Sequence, residues 1–215
     1  MKIVIPEKSL LNCTNDVDYY YWNYKFPIKY IQLYRFKAIV RLLGKRVYPN
    51  LLEVGTGSGI FLPELSLHCE KLYATDIHPY FENIENLLKH YKVKEFDLKS
   101  QSIQKTDYPD NYFDAVIAVS VLEFVDDLEM AIKEIKRILK EDGVFITICP
   151  MNSNFLDSIL SLYSKRKPKE EFGESRIYVG RSLEQNFTVI KKGYMIPIIG
   201  KFFPVYTHYK LKNKK

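Results

Sequence analysis

Apolar residues along the chain fall into short continuous runs separated by longer stretches of helical spacing. The runs predict five strands: Leu51–Val54, Lys71–Ile77, Phe96–Ser102, Ala115–Val119 and Val144–Ile148. A helix is predicted before the first run, opened by Pro27 and closed by Gly44. Runs that are apolar throughout, such as the fourth, are typical of strands covered on both faces. The alternation therefore predicts a parallel α/β sheet.

The helices later in the chain show weaker boundary signals. The helix after the fourth strand should begin at Asp126 or Asp127 and stop at Gly143. Beyond the fifth strand, helical spacing recurs at residues 155–163. Ser182 could begin one further helical turn through a capping box.

The most informative stretch is Leu51–Phe61, where the first strand runs into a turn with glycine at three alternate positions: Gly55, Gly57 and Gly59. Glycine permits positive φ and lets a ligand come close to the backbone. The N–H groups at the start of the next helix offer donors to a polar or anionic group. Ser58 is expected to cap that helix, with Pro63 in its first turn. Tight packing of strand on helix could also require these glycines.

The spacing of the glycines separates two classes of nucleotide site. A dinucleotide-binding turn, G-x-G-x-x-G, would have its third glycine at Ile60, whereas the third glycine here is Gly59. Glu53 precedes the first glycine, and the resulting E-x-G-x-G-x-G pattern resembles motif I of the class I S-adenosylmethionine (SAM) methyltransferases. The resemblance implies SAM as cofactor, with its methionine part received by Glu53, Thr56 and the three glycines.

The second predicted strand ends in Asp76, about 20 residues past the turn, where a nucleoside-binding βαβ unit places an acid for the ribose. A carboxylate can accept hydrogen bonds from both ribose hydroxyls. The predicted site includes the next residue, Ile77, as well. Asp76 could instead cap the helix that follows at once.

A second resemblance covers roughly residues 28–150. The turn at Tyr108–Asp114 and the segment after it are similar to the P-D-x-x-F-D … V-L-E-H-V signature of small methyltransferases related to the ubiquinone/menaquinone-biosynthesis group. By this resemblance Ser102 and Ile103 lie at the pair that contacts adenine, and a hydroxyl replaces the usual aspartate. Phe124 replaces a frequent histidine. Val119, at the end of the fourth strand, completes the predicted SAM site.

The same family ends its sheet with an antiparallel hairpin, for which Phe187–Ile190 and Tyr206–Leu211 are the candidates. The expected fold class is thus a Rossmann-like, doubly wound α/β sheet of seven strands, mostly parallel with a C-terminal antiparallel hairpin. Residues 1–215 are expected to be one methyltransferase domain. It would comprise an N-terminal aromatic lid and helix, a SAM-binding core, and a substrate-side insertion with the terminal hairpin: residues 1–45, 46–150 and 151–215.

Two stretches bear on what the acceptor site looks like. Tyr19–Phe26 is densely aromatic, and it either packs the N-terminus down or forms a wall and lid over the active site. Ile196–Pro204 is apolar but broken by prolines. It is predicted to be a packed loop near the substrate mouth, with peripheral membrane contact as the alternative.

Composition excludes several classes of protein. At 47% hydrophobic and 27% charged residues, the chain is ordinary for a globular protein, and it has no run of membrane-helix length and no signal peptide. A cytoplasmic location is therefore expected.

Three scattered cysteines predict neither a disulfide nor a metal site, and Cys149 is interpreted as a small buried residue. The net charge of +6 is concentrated at Lys165–Lys169 and Lys210–Lys215, interpreted as a solvated loop and a frayed end.

Methyl transfer from SAM chiefly requires alignment of nucleophile, methyl and sulfur, which can supply about 7–11 kcal/mol. No strong general base is needed, and Glu123 and Tyr21 are candidates by position only; helix capping is favoured for Glu123 and aromatic packing for Tyr21. The predicted function is SAM-dependent methyl transfer to a small organic or lipid-like acceptor, a hydrophobic or aromatic one being an option. The alternatives are an RNA or protein methyltransferase, a nucleotide-binding oxidoreductase and a non-catalytic SAM-binding protein. Nucleic acid is not favoured, because the tetrad typical of base-amino methyltransferases is missing after the fourth strand.

Overall fold

The computed structural model describes residues 2–14, 20–26, 28–151, 168–195 and 205–214. Within them, seven strands form one sheet: β1 (Tyr48–Val54), β2 (Cys69–Asp76), β3 (Phe96–Ser100), β4 (Phe113–Val119), β5 (Leu139–Pro150), β6 (Phe187–Tyr194) and β7 (Tyr206–Asn213). Their spatial order is β3-β2-β1-β4-β5-β7-β6. Strands β1 to β5 are parallel, and β7 runs antiparallel to both β5 and β6. The predicted fold class is confirmed.

Five α-helices accompany the sheet in the described residues: α1 (Ile28–Leu43), α2 (Leu62–Leu65), α3 (Phe81–His90), α4 (Leu128–Ile138) and α5 (Pro168–Asn186). Two apolar clusters cover its two faces, one formed with α1 to α3 and the other with α4 and α5. Leu51 belongs to the first cluster and its neighbour Leu52 to the second, as the alternation of side chains along a strand requires. All the parallel strands therefore end at one edge of a doubly covered sheet, where such folds bind ligands.

The predicted helix stop at Gly143 is wrong. Helix α4 ends at Ile138, and Gly143 lies inside β5. The pairing of β4 with β5 shifts there, because Phe113 is opposite Leu139 whereas Ala115 is opposite Val144. Residues 140–143 lie opposite the single residue Asp114 in that ladder, so the glycine marks an irregularity in a strand rather than a helix end. The predicted cap Asp127 is confirmed, since its Oδ1 accepts a hydrogen bond from the Met130 N–H at 2.9 Å.

The predicted start of a turn at Ser182 is also wrong. Ser182 lies near the end of α5, and its hydroxyl donates a 2.6 Å hydrogen bond to Glu129 Oε1 on α4. The serine therefore joins two helices instead of capping one. The predicted helix at 155–163 and the apolar loop at 196–204 lie outside the described residues.

The basic tail is not a frayed end over the residues described. Residues 210–213 belong to β7, and the side chains of Lys210, Asn213 and Lys214 bond to carbonyls in the last turns of helices. Lys210 Nζ donates to Leu42 O of α1 at 2.8 Å, Asn213 Nδ2 to Lys136 O of α4 at 3.1 Å, and Lys214 Nζ to Glu184 O of α5 at 3.1 Å. A cation at a helix C-terminus satisfies open carbonyls and opposes the helix dipole.

Candidate active site

The turn after β1 adopts the left-handed backbone that its glycines allow, with φ of 69° at Gly55, 50° at Gly57 and 76° at Gly59. Gly55 also permits a close approach, because a Cβ atom there would lie 2.2 Å from Cγ2 of Val121. The segment that follows β4 is therefore packed directly against the turn.

Asp76 is part of this turn. Its Oδ2 accepts from the Gly57 N–H at 2.8 Å, and its Oδ1 accepts from the Ile77 N–H at 2.7 Å. The alternative role as a helix cap is wrong, because α3 begins at Phe81 after Tyr80. Oδ1 also accepts from the His78 N–H at 3.4 Å, whereas Oδ2 retains an acceptor position to which a ribose hydroxyl could donate.

His78 contacts the glycine turn, which the sequence did not predict. Its Nδ1 accepts from the Tyr80 N–H at 3.1 Å, so the ring proton belongs on Nε2, which lies 2.9 Å from Gly57 O. The Gly57 residue is thus held through its N–H by Asp76 and through its carbonyl by the buried His78. The available signal was a histidine two residues after the acid that ends β2.

Glu53 is buried beneath the turn, with its Oε2 3.4 Å from the Thr56 hydroxyl. Burial raises the pKa of Glu53 to about 8; the hydrogen bond from Thr56 opposes this shift, and the charge of Asp76 adds to it. A buried acid with a raised pKa therefore lies close to the carboxylate of Asp76. A cationic ligand group at this position would favour ionisation of Glu53.

Ser58 does not cap a helix as predicted. Helix α2 begins four residues later, at Leu62, with Phe61 before it. The Ser58 hydroxyl is buried, and its oxygen finds no hydrogen-bond partner among the residues the structure describes. An unsatisfied buried hydroxyl is costly, which favours a ligand partner.

The ends of β2 and β3 meet on the other side of Asp76. The Gln101 N–H donates to Asp76 O at 2.9 Å, which places Ser102 and Ile103 next to the acid. Ser102 Oγ accepts from the Gln104 N–H at 3.2 Å and keeps a second acceptor position. Ile77 is 75% exposed although it is apolar, so it offers an uncovered surface for a flat ring.

Two further charged side chains, Arg35 and Glu123, lie near the ends of β4 and β5. Arg35 of α1 donates from Nη2 to Val119 O at 3.4 Å and from Nη1 to Gln32 Oε1 at 2.8 Å, and its guanidinium lies 5.2 Å from the ring centre of Tyr206. Glu123 is 6% exposed, on the short 3-10 helix Leu122–Phe124. Burial raises the pKa of Glu123 to about 7, although its own N–H and the charges of Arg35 and Arg176 lower it.

The surroundings of Glu123, Cys149 and the aromatic run bear on the roles predicted for them. Glu123 does not cap α4, because Asp127 does. Cys149 is buried as predicted, and burial raises the pKa of its thiol far above the ordinary value. The Tyr24 hydroxyl donates to Pro6 O at 2.7 Å, so this member of the aromatic run ties down the N-terminus, while the ring of Tyr21 faces Lys25 Nζ at 5.4 Å. Residues 15–19 lie outside the described part.

In the described parts of the chain, no three His, Cys, Asp or Glu side chains are grouped so that they could hold a metal ion. No helix among the same residues combines the length and the apolar character needed to span a membrane.

Comparison with known proteins was made on sequence and on structure. Residues 52–147 match the family model described as "Methyltransferase domain". The mitochondrial arginine-hydroxylase NDUFAF5 of Rattus norvegicus is 32% identical over 106 residues, 47% of this chain and 29% of that protein. A phosphatidylethanolamine N-methyltransferase of Cereibacter sphaeroides is 28% identical over 120 residues, 53% of this chain and 55% of that protein. The chain thus spans less than two thirds of either relative.

Among solved structures, the N-methyltransferase NodS of Bradyrhizobium japonicum WM9 in complex with S-adenosyl-L-homocysteine aligns with a TM-score of 0.67 at 17% identity. The alignment covers 96% of this chain and 97% of that one, so the fold is shared over nearly the whole length. Residues 52–147 are thus similar to a methyltransferase domain, and the chain shares the fold of this methyltransferase structure.

Proposed function

We propose that this protein transfers the methyl group of SAM to a small organic or lipid-like acceptor. The observation that carries the proposal is the E-x-G-x-G-x-G turn, whose middle glycine is fixed through both its N–H and its carbonyl by Asp76 and His78. The relative from Cereibacter sphaeroides, named for methylation of phosphatidylethanolamine, supports a lipid-like acceptor.

The residues at the carboxyl ends of the strands fit the parts of SAM. Glu53, a buried acid whose ionisation a cation would favour, would face the ammonium group, and the unpartnered Ser58 hydroxyl lies on the same turn. Asp76 would accept from the ribose hydroxyls. Ser102, Ile103 and the exposed Ile77 would contact the adenine, and Val119 would border the methyl group. SAM supplies a methyl carbon that its sulfonium makes electrophilic.

The protein's contribution to the reaction is alignment and exclusion of water. Because the glycine turn, Asp76 and the end of β4 are joined by direct contacts, the cofactor and the acceptor would be held against one rigid edge. A relative named arginine-hydroxylase shows that a similar domain occurs in a protein named for another reaction. Methyl transfer therefore needs a direct test.

Thermal and calorimetric titration with S-adenosyl-L-homocysteine and with NAD tests the cofactor. At about 100 times its dissociation constant, a ligand of the native state adds roughly 2.7 kcal/mol of stability. We expect this from S-adenosyl-L-homocysteine and no stabilisation from NAD. The reverse ranking would overturn the proposal. Release of S-adenosyl-L-homocysteine from SAM, screened over amine, hydroxyl and phospholipid acceptors, then tests turnover.

A further inference from the structure

The chain after β4 turns sharply toward the glycine turn. Ser120 has a φ of 53°, uncommon for a residue other than glycine, and its N–H donates to Ile148 O at 2.9 Å. The next residue, Val121, occupies the space that the missing side chain of Gly55 leaves. Glu123 follows two residues later, so it lies beside the part of the site where the methyl group would be presented.

The Glu123 carboxylate is only half satisfied. One oxygen is engaged by the residue's own N–H, whereas Oε2 is buried and receives no hydrogen bond from the described residues. Arg35 faces the same region, and its Nε–H also lacks an acceptor in that part of the chain. Both side chains act electrostatically on Cys149 at the end of β5, so they share one buried space without forming an ion pair that would satisfy these two atoms.

A buried carboxylate oxygen without a donor is costly, so a ligand that supplies the donor is favoured. We propose that Glu123 Oε2 receives the proton-bearing nitrogen or oxygen of the methyl acceptor, and that the acceptor is therefore an amine or hydroxyl compound. This inference rests on the proposed function, because it concerns the same site. Phe124 next to it is apolar and cannot take this role.

The proposed step conserves atoms and charge. The acceptor's N–H or O–H bond breaks, its electron pair forms the new bond to the methyl carbon, and its proton passes to Glu123 Oε2. The carbon–sulfur bond pair stays on sulfur, so the sulfonium leaves as a neutral thioether. Arg35 of α1, Arg176 of α5 and Cys149 of β5 are the titratable groups that face Glu123, and the two arginines keep its proton affinity from rising further.

The test uses sinefungin, a SAM analogue in which an amine-bearing carbon replaces the methyl sulfonium. Its ammonium group should donate to Glu123 Oε2, which S-adenosyl-L-homocysteine cannot do. In Glu123→Gln we expect the affinity for sinefungin relative to S-adenosyl-L-homocysteine to fall about tenfold at pH 8. The wild-type ratio should rise from pH 6 to pH 8, as Glu123 ionises, and stay flat in the variant.

Glu129→Gln is the matched control, since it removes the same charge six residues along the chain, where Glu129 binds Ser182 and Tyr178 of α5. It should leave the ratio and its pH dependence unchanged. Unaltered affinity for S-adenosyl-L-homocysteine in Glu123→Gln verifies the fold. If that affinity is retained and the sinefungin ratio does not move, the inference is overturned. If the wild type binds neither ligand, the proposed function itself fails, and the inference with it.

Discussion

The two edges of the parallel sheet differ in how their buried polar groups are paired. At the first edge, where the strands begin, Asp114 Oδ2 accepts from both the Asn50 N–H at 3.0 Å and Lys140 Nζ at 2.9 Å. At the second edge, where the strands end, the Ser58 hydroxyl and Glu123 Oε2 are buried without a hydrogen-bond partner among the described residues. The same contrast separates two buried glutamates. Thr106 and Arg137 donate to both oxygens of Glu134. At the first edge the carboxylates of Asp114 and Glu134 are satisfied by the protein alone, whereas at the second edge Ser58 and Glu123 each keep a buried atom without a partner in the described residues.

The pKa values follow the same division. Burial alone would raise the pKa of Glu134, but hydrogen bonds from Arg137 and Thr106 outweigh it and hold the value at about 2. Burial instead raises the pKa of Glu123 to about 7, since its own N–H and the charges of Arg35 and Arg176 compensate only in part. A glutamate in a low-dielectric interior is thus stabilised as an anion only where donors point at it. Glu134 therefore stabilises the fold as an anion, whereas Glu123 keeps an unsatisfied oxygen, to which we propose that the methyl acceptor binds.

The largest expected effect comes from Gly55→Ala at the binding edge. The substitution combines a positive φ with a Cβ 2.2 Å from Val121, so it should lower the free energy of unfolding by about 3 kcal/mol and abolish binding of S-adenosyl-L-homocysteine. Gly44→Ala is the matched control. It has a φ of 78° with no atom within 4 Å of the added Cβ, so only the strain of about 1 kcal/mol applies. Equal losses in the two variants, measured by urea unfolding, would contradict the close approach.

Glu134→Gln should lower the free energy of unfolding by about 2–3 kcal/mol, because it weakens charge-assisted hydrogen bonds from Arg137 and Thr106. Glu123→Gln removes a poorly satisfied charge and should leave stability at pH 8 unchanged or higher. Denaturant unfolding of both variants in the absence of ligand measures the difference between the two edges. A larger loss in Glu123→Gln would refute the comparison.

The pH dependence sharpens this prediction. Because the pKa of Glu134 is lowered, its contribution is present above the ordinary glutamate range and is lost as the pH falls toward 2. The pKa of Glu123 is raised, so the native state binds the extra proton and stability decreases as the pH rises from about 4.5 to about 7. Glu123→Gln should flatten that decrease. Unfolding curves of the ligand-free protein at pH 5 and pH 8 test the sign.

Asp76→Ala is expected to lower affinity for S-adenosyl-L-homocysteine at least about tenfold, since a charged hydrogen bond contributes about 1.5–3 kcal/mol. Because Asp76 Oδ2 also holds the Gly57 N–H, the ligand-free protein should lose about 1 kcal/mol of stability too. Calorimetry and urea unfolding separate the two effects. A loss of stability with unchanged affinity would leave Asp76 a purely structural residue.

The patterns that sequence predicts well here are those set by local chemistry. The apolar run Ala115–Val119 indicates a buried strand because periodicity alone determines which strands are covered on both faces. The glycines of the turn indicate a nucleotide site because few other residues accept positive φ. The outcome was different at Gly143, where a helix stop and a bulge in a strand require the same residue type, and the pairing with β4 decides between them.

Long-range partners could not be predicted from local pattern. Ser182 resembles the first residue of a capping box, but its acceptor is Glu129, 53 residues away in the chain. His78 contacts the Gly57 carbonyl, and Glu123 Oε2 is buried without a donor among the described residues. Both environments arise only when the sheet is packed. The charge of the C-terminal lysines was visible in the sequence, whereas the helix ends that they meet were not.

Removal of Asn213–Lys215 has the smallest expected effect and tests the satisfied edge. The deletion takes away the bonds to Lys136 O and Glu184 O, so the free energy of unfolding should fall by about 1 kcal/mol. Affinity for S-adenosyl-L-homocysteine should not change, because both carbonyls lie at helix ends that lead into β5 and β6, away from the glycine turn. Lys92→Ala, which removes one lysine that follows α3, is the control for loss of positive charge.

If the tail served an RNA substrate instead, its removal would leave stability intact and flatten the salt dependence of RNA binding. Because Asn213 and Lys214 already bond to helix carbonyls, we expect the loss of stability and no such change in RNA binding.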